Sequence, residues 1–290
     1  MNIVTHSGSF HTDDIFAVAT LLLKYPEAEV IRSRDKNLIA GADIVVDVGL
    51  VHDPDRKQFD HHQAGGAGTR PNGIPYASFG LVWKEYGVEL AGNKEAADLL
   101  DEKLVMSIDA PDNGISVYEQ VFENVRPYTI SDFLYSYLKN ETHDDEELYK
   151  IFMNLVNIAR ELLIREIGKV RERVEGMKKV EVIFESAPNK QIIVLEDSLP
   201  WEPVLVGKPE PIYVVYKRRE GNWGAKGVPQ TIKGFERKKL FPESWSALDG
   251  NSLKEVTGVE DAVFCHRGRF LCVAESKEGA VKLAELALNS

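Results

Sequence analysis

The run Asp60-His61-His62 sets two imidazoles beside a carboxylate, and three further groups of metal-binding side chains lie in order along the chain. The segment His6-Ser7-Gly8-Ser9-Phe10-His11-Thr12-Asp13-Asp14 adds two histidines and two aspartates. Asp47 closes the apolar run Ile44-Val45-Val46, and Asp109 follows a helical stretch. Five of the chain's seven histidines precede residue 63, so the nitrogen donors are concentrated where the carboxylates are. Imidazole mixed with hard carboxylate oxygen suits divalent ions of the manganese or magnesium type better than a structural zinc. Two ions held ~3.5–4 Å apart need a shared carboxylate, and an aspartate at a strand end is short and firmly placed, which makes Asp47 the candidate bridge. His6, His11 and Asp13 share a loop from which side chains two or five apart can converge, and Asp109 would complete the second ion. The chemistry that such a pair supports is hydrolysis of a phosphate ester or anhydride.

Each of these residues also has an ordinary reading. A histidine in a polar loop is usually a surface residue, and His52 in the turn-rich His52-Asp53-Pro54-Asp55 is read that way. An aspartate at a strand end often forms a turn, and Asp14 is placed to cap the helix behind it. The ordered set, rather than any single member, carries the metal reading.

The elements that must position these donors follow from hydrophobic period. Asn2-Ile3-Val4 reads as a strand, and residues 13–24 as a helix with Ile15, Val18, Ala19 and Leu22 on one face. Residues 29–32 and 44–48 read as buried strands, and residues 76–87 and 94–108 as helices. Strand–helix alternation predicts a parallel sheet with helices on both faces, and ligands bind where loops leave the carboxyl ends of such strands. The His6–Asp13 loop and Asp47 both sit at such ends. Residues 131–177 read as strongly helical, with Thr142-His143-Asp144-Asp145-Glu146 as a helix start and His143 as a weak further ligand candidate. Beyond Lys178, strands are expected at 180–184, 191–195 and 212–216, a hairpin at 262–266 and 270–274, and an amphipathic helix from Glu278 to Leu288. The expected architecture is α/β: an N-terminal parallel-sheet domain (1–125), a helical connector (126–177) and a smaller α+β C-terminal domain (178–290).

Bulk properties narrow the function classes. At 290 residues, with 43% hydrophobic and 28% charged, the chain is long enough for two cores. No apolar run approaches the ~18 residues that span a bilayer, and polar Thr5-His6-Ser7-Gly8-Ser9 follows Ile3-Val4 directly, which argues against a secretory signal. Two cysteines, Cys265 and Cys272, make no disulfide framework in so large a chain; a cytoplasmic protein with no membrane partner is expected. The net charge of −11 argues against a broad nucleic-acid-binding face. The imbalance is local, however. Residues 1–120 hold 10 Lys/Arg against 19 Asp/Glu, whereas residues 177–290 hold 17 against 16. Lys217-Arg218-Arg219, Arg237-Lys238-Lys239, and Arg267 with Arg269 lie in that near-neutral part, so an anionic substrate would meet metals on one domain and arginines on the other.

These motifs resemble the DHH phosphoesterase superfamily. Within it, His6 to Asp14 and Phe59-Asp60-His61-His62-Gln63 are similar to the melanocyte proliferating gene family, also labelled metal-dependent protein hydrolases. Arg237-Lys238-Lys239-Leu240-Phe241-Pro242-Glu243-Ser244-Trp245 and Glu278-Gly279-Ala280 extend the likeness over nearly the whole chain. The resemblance implies a DHH-type catalytic domain with the active site in a cleft between two lobes. It implies a first ion on His6, His11 and Asp47, and a second on Asp13, Asp47, His61 and Asp109. His62 would then face the substrate phosphate, with Asp60 orienting it. The chain departs from the pattern twice: His11 stands where other branches carry Asp, and Leu271-Cys272-Val273 occupies the place of a Gly-Gly-His segment. Members of the family are regarded as 3′-to-5′ exoribonucleases, and nothing in the sequence favours a peptide bond over a phosphodiester.

Three functions follow as expectations. The first is a phosphodiesterase using two divalent ions, Mn²⁺ or alternatively Mg²⁺, on single-stranded RNA or short oligonucleotides. In that case His266, Arg267, Arg269 and Arg218 are candidates for substrate contact, and Trp223 or Tyr216 for base stacking. The second keeps the ions but takes a small phosphate such as pyrophosphate or a short nucleotide. The third is a non-catalytic metal-binding protein. Association into a homodimer is compatible with all three.

Overall fold

A computed structural model describes residues 1–138 and 144–290, and those residues form two compact units, Met1–Arg171 and Glu172–Ser290. Thr142 and His143 lie outside the described residues. Among the described residues no helix is long and apolar enough to cross a membrane.

The first unit is built on five short strands. They are β1 (Asn2–Thr5), β2 (Glu29–Arg32), β3 (Ile44–Val46), β4 (His52–Asp53) and β5 (Gln58–Phe59), arranged in the order β2-β1-β3-β5-β4. The β-branched β1, β2 and β3 are expected from sequence, and the two-residue β4 and β5 are not. The pairs β1–β2, β1–β3 and β3–β5 are parallel, with Ile3 opposite both Val30 and Ile44. The edge strand β4 runs antiparallel to β5, so the sheet is mixed rather than wholly parallel. A tight turn explains the reversal: Pro54–Arg56 forms a 3₁₀ turn capped by the Asp53 side chain, and Lys57 adopts φ 55° behind it. The helices of this unit are α1 (Thr12–Lys24), α2 (Lys36–Ala40), α3 (Ser78–Ala91), α4 (Lys94–Leu100), α5 (Met106–Asp112) and α6 (Ile130–Tyr135). A five-residue π-helical turn, Asp101–Val105, joins α4 to α5 where a single helix is expected. Helix α1 packs on α3, with the Phe16 and Phe79 rings 5.3 Å apart in the core.

Helix α7 (Asp145–Ser186) runs 42 residues, and the boundary between the two units falls within it. Residues 180–184, expected as a strand, belong to its last turns. Apolar periodicity explains the correction. Val180 and Phe184 are buried and Val182 is 68% exposed, which is the i, i+4 pattern of a helix, whereas a strand would place 180, 182 and 184 on one face. The β-branched composition of Val180-Glu181-Val182-Ile183 suggested a strand, and packing overrode it.

The second unit is a five-stranded sheet with both faces covered. Its strands are β6 (Ile192–Leu195), β7 (Tyr213–Lys217), β8 (Trp223–Gly227), β9 (Ala262–Cys265) and β10 (Leu271–Ala274), in the order β6-β7-β8-β10-β9. Only β6–β7 is parallel. The short helix α8 (Glu202–Leu205) follows β6, and α9 (Gly250–Thr257) and α10 (Lys277–Leu288) complete the unit. Strand alternation separates two cores. Tyr213, Val215, Trp223 and Cys272 join Leu283 and Ala284 of α10, while Val214 and Ile193 join Val180 and Phe184 of α7. Cys265 and Cys272 are free, buried and opposite each other on β9 and β10.

This packing makes a direct test of the helix at 180–184. Val180→Asp is expected to cost about 3 kcal/mol or more, because an unpaired carboxylate enters a packed core, and Val182→Asp about 0.5 kcal/mol or less. Urea unfolding of the two variants reads the difference; equal losses would mean that 180 and 182 share a face after all.

Candidate metal centre

The carboxyl ends of β1 and β3 bring the donors together. His6 directly follows β1, and the next residues turn back through Gly8 (φ 89°) so that His11 begins α1. There the His11 N–H donates to Asp14 Oδ1 at 3.0 Å in a capping box, while Asp14 Oδ2 lies 3.1 Å from His6 Nε2. One carboxylate therefore both starts the helix and holds the imidazole. Asp13 sits in the same first turn, where the helix N-terminus favours negative charge. Asp47, one residue past β3, takes φ 55°, a left-handed conformation that Asp tolerates better than most side chains and that costs ~1 kcal/mol or more. Leu50 follows with φ 59°, so the turn is strained at both ends, while Gly49 between them takes φ 98° without cost.

This strained turn places Asp47 between the histidines. Its Oδ2 lies 3.3 Å from His6 Nε2, and its Oδ1 lies 3.5 Å from both His61 Nε2 and His62 Nδ1. The Ser78 hydroxyl at the start of α3 donates to Asp47 Oδ1 at 2.8 Å. Asp60, fully buried, accepts from the Leu50 N–H at 2.6 Å through one oxygen; its other oxygen takes the His62 N–H at 3.0 Å and lies 2.9 Å from His62 Nδ1. Asp60 thus ties the strained turn to the imidazole that follows it and leaves the half-exposed His62 ring facing a cavity.

Three overlapping donor sets result. The donor atoms of His6, His11 and Asp47 lie within 4.8 Å of one another, as do those of Asp47, His61 and His62, and those of His11, Asp13 and Asp112. The chemistry of the set fits divalent cations. Both Asp13 oxygens are buried without accepting a hydrogen bond, an expensive state for a carboxylate unless a cation answers it. Asp109 is not in these sets. Its Oδ1 accepts from the Gly80 N–H at 3.0 Å, and its Oδ2 meets Arg70 Nη2 at 2.8 Å. Arg70 also grips Asp101 with two hydrogen bonds, of 2.9 and 2.7 Å. A Cβ on Gly80 would fall 1.8 Å from Asp109 Oδ2, so the site is closed around that pairing. One turn further along α5, Asp112 Oδ2 lies 3.2 Å from His61 Nε2. Sequence reading passed over Asp112, although its i+3 spacing from Asp109 on a helix was the available signal.

Electrostatics agree with a site built for cations. Burial and the neighbouring charges of Asp47, Asp112 and Asp14 raise the Asp13 carboxyl well above the usual range. Burial likewise raises Asp14, partly offset by His6. For Asp47 burial is outweighed by hydrogen bonds from His6 and His61, which hold its carboxyl far below the usual range. Burial alone would lower both histidines. Asp14 and Asp47 instead push His6 up to about 10, and Asp112 and Asp47 push His61 up to about 10. Both shifts mark the positions of these rings as strongly negative in potential, which favours positive charge there. Burial also pushes Asp109 up to about 7 against the pull of Arg70.

A cavity of 620 Å³ opens beside this cluster, within the ~300–1,000 Å³ range of small-molecule sites. His6, His11, Asp47, Asp60 and His62 line one side, and Arg34, Lys36, Ile39 and Leu50 the other. Arg34 Nε donates to the Ser7 carbonyl at 3.2 Å, the same oxygen that His6 Nδ1 approaches at 3.2 Å. Neither basic residue was singled out from sequence, because Arg34 lies in the short connection between β2 and α2 and Lys36 begins α2, with no motif around them.

The remaining candidates lie in the second unit. Arg218 and the Lys217 that ends β7 sit at the β7–β8 turn, where Arg218 Nη1 bonds Asn222 at 3.2 Å. His266, Arg267 and Arg269 form the β9–β10 turn: His266 Nδ1 accepts from the Gly268 N–H at 2.9 Å, its ring lies 4.3 Å from that of Phe270, and Arg269 takes φ 54°. Trp223 is a core residue packed with Tyr213 and Trp245, which removes it as a stacking surface for a base. Tyr216 is half-buried against the other core.

Two outcomes test the centre. Asp112→Asn is expected to weaken Mn²⁺ binding at least tenfold with little change in thermal midpoint. Asp109→Asn should do the reverse, lowering the midpoint by several degrees, because it leaves Arg70 buried with half its partners. Calorimetric Mn²⁺ titration beside thermal melts separates them. Protons supply the second test. Unfolded histidines titrate near 6.5, so the stability that His6 and His61 contribute is complete below that pH and lost as pH rises through about 10. Metal-free protein should therefore melt progressively lower from pH 6.5 to 10, and metal loading at pH 8 should release about two protons. Titration in buffers of different ionisation enthalpy counts them, and a count near zero would mean that both rings were already neutral.

Residues 2–288 match the model MYG1_exonuc, described as an uncharacterised protein family (UPF0160). The chain is 30% identical over 323 residues to a Homo sapiens protein named MYG1 exonuclease, an alignment covering 98% of this chain and 85% of that one. It is 29% identical over 323 residues to the MYG1 protein of Dictyostelium discoideum, covering 100% and 97% of the two chains. The MYG1 protein of Chlamydia trachomatis is 29% identical over 294 residues, covering 98% and 96%.

Proposed function

The chain belongs to the MYG1 exonuclease family, UPF0160, and from that membership and its donor cluster we propose that it is a divalent-metal-dependent 3′-to-5′ exoribonuclease acting on single-stranded RNA or short oligonucleotides. The observation that carries the hydrolytic reading is the convergence of His6, His11, Asp13, Asp47, His61 and Asp112, next to a cavity that His6, His11, Asp47 and the half-exposed His62 line. Two ions, Mn²⁺ in preference to Mg²⁺, would be held there, with Asp47 shared between them.

Bound ions supply Lewis-acid neutralisation of phosphoryl charge and activation of water. Every other role falls to the chain. Asp47 is buried and pinned by Ser78, so its two oxygens keep fixed directions toward His6 on one side and His61 and His62 on the other. Asp60 fixes the His62 ring, which is placed to hydrogen-bond a phosphoryl oxygen or to pass a proton to the departing oxygen. Arg34 and Lys36 give the opposite wall of the cavity the positive charge that a phosphate-bearing substrate needs. In the second unit, His266, Arg267, Arg269 and Arg218 are proposed as substrate-binding residues by their chemistry. The domain reading (1–125, 126–177 and 178–290), the cytoplasmic location and a homodimer belong to the same proposal.

The size of the cavity favours one other reading. A 620 Å³ site also accommodates a pyrophosphate or a short nucleotide, so a small-molecule phosphoesterase is the runner-up. Given Mn²⁺ and an end-labelled RNA oligomer, the protein is expected to shorten the strand one nucleotide at a time. His62→Ala should cut kcat by a factor of about 10² to 10⁴ while Mn²⁺ affinity changes little. Phosphate release from pyrophosphate with no shortening of RNA would favour the runner-up, and activity undiminished in His62→Ala would remove that residue from the chemistry.

A further inference from the structure

The second unit carries a concave surface that the metal chemistry does not use. A cavity of 440 Å³ is walled by Arg173 of α7, Lys226 of β8, and the loop from Pro229 to Arg237. Fully solvated apolar side chains are expensive, yet this loop exposes two: Phe235 is 94% exposed and Ile232 66%. The loop is nevertheless fastened. Pro229 and Arg237 form a bridge, the Gln230 N–H donates to the Glu236 carbonyl at 2.9 Å, the Gly234 N–H to the Thr231 carbonyl at 3.1 Å, and the Lys238 N–H to the Val228 carbonyl at 2.8 Å. The aromatic ring is therefore displayed by a hydrogen-bonded turn.

Charge says what the display suits. Arg173, Lys226, Lys233 and Arg237 all line the cavity, and Glu202, the one carboxylate lining it, is already engaged by Lys226 at 3.1 Å. Arg237 Nε is buried there without a hydrogen bond. An uncompensated cationic hollow on a chain of net charge −11, with a solvated ring at its rim, has the composition of a single-stranded nucleic-acid site: cations track the backbone and an aromatic face stacks an unpaired base. A protein partner would leave these guanidinium and ammonium groups needing a matching acidic patch. A strand supplies one phosphate per base.

We propose that this face of the second unit docks single-stranded nucleic acid, with Phe235 stacking a base and Arg173, Lys233 and Arg237 meeting the adjacent phosphates. The choice of nucleic acid as occupant rests on the nuclease reading; the residues are distinct from those assigned to the metal centre and from the β7–β8 and β9–β10 turns.

The test uses the full chain with Mn²⁺ and a fluorescent 12-nucleotide single strand whose terminal linkages are methylphosphonates, so that binding is read without shortening. Phe235→Ala is expected to weaken binding about tenfold, and Phe235→Trp to restore it. The double change Arg173→Gln with Lys233→Gln should lower the slope of log affinity against log salt by about 1.4, or ~0.7 per lost phosphate contact. Because Phe235 and Lys233 are exposed, thermal midpoints should stay at the wild-type value, which separates docking from folding. Affinity within twofold of wild type in Phe235→Ala would overturn the proposal, as would a Phe235-dependent change in oligomeric state by sedimentation, which would identify the face as a contact between copies of the chain. The two readings fail separately. Hydrolysis without Phe235-dependent binding sinks this surface alone, and Phe235-dependent binding without any phosphodiester hydrolysis sinks the nuclease reading alone.

Discussion

Five aspartates of the first unit, Asp13, Asp14, Asp47, Asp60 and Asp109, are almost entirely removed from water, and the arrangement around them follows from the need to answer that charge. An ionised carboxylate is very costly to bury unpaired. The chain answers each one differently. Asp109 has Arg70 and a backbone N–H; Asp60 has two backbone N–H groups and an imidazole; Asp14 has a helix cap and His6. Asp47 has His6, His61 and Ser78. Asp13 alone accepts no hydrogen bond through either oxygen, and it lies where Asp47, Asp112 and Asp14 add their own negative potential. Among the described residues its one ion-pair neighbour is His61 Nε2 at 3.9 Å, beyond hydrogen-bond reach, so the cluster is least balanced at Asp13, which is where cations would complete it.

Rigidity comes from helix starts rather than from the loops themselves. His11 and Asp14 close the first turn of α1, so the loop leaving β1 is held at both ends. Helix α3 works as a lever between two carboxylates: Ser78 in its first turn holds Asp47, and the Gly80 N–H, two residues on, holds Asp109. The Arg70 side chain, which lies 4.2 Å from the Tyr76 ring and bonds both Asp101 and Asp109, fixes that lever against α5. Asp109 is therefore tied indirectly to the donors through α3, even though its own oxygens are spoken for. The strained turn at Asp47–Leu50 persists because Asp60 accepts from the Leu50 N–H.

The two units divide the electrostatics between them. The acidic excess sits with the donors in the first unit, while the near-neutral second unit spends its cations on turns and on the hollow beneath Phe235. Its sheet is covered on both faces, by α10 on one side and the end of α7 on the other, which leaves loops and turns as the places where arginines reach solvent.

Much of this was legible in the residues. Short β-branched runs separated by polar loops predicted β1, β2 and β3 of the first unit and the hairpin of the second, since alternation and turn chemistry are local properties; the two-residue strands β4 and β5 carry no such run and are set by their pairing. The ordered donors His6, His11, Asp13, Asp47 and His61 were visible because imidazoles and carboxylates cluster there and almost nowhere else in the chain. Only the folded chain decided which aspartate of α5 faces His61. Asp109 and Asp112 are one turn apart with the same chemistry, and the choice rests on Arg70 arriving from 39 residues upstream to occupy the first. The strand expected at 180–184 failed for a related reason: β-branched residues favour strands only weakly, and a helix already 35 residues long kept its register because Val180 and Phe184 find a core. Composition and local period determine which elements and which donors exist. Long-range packing and the pairing of buried charge determine which of them meet.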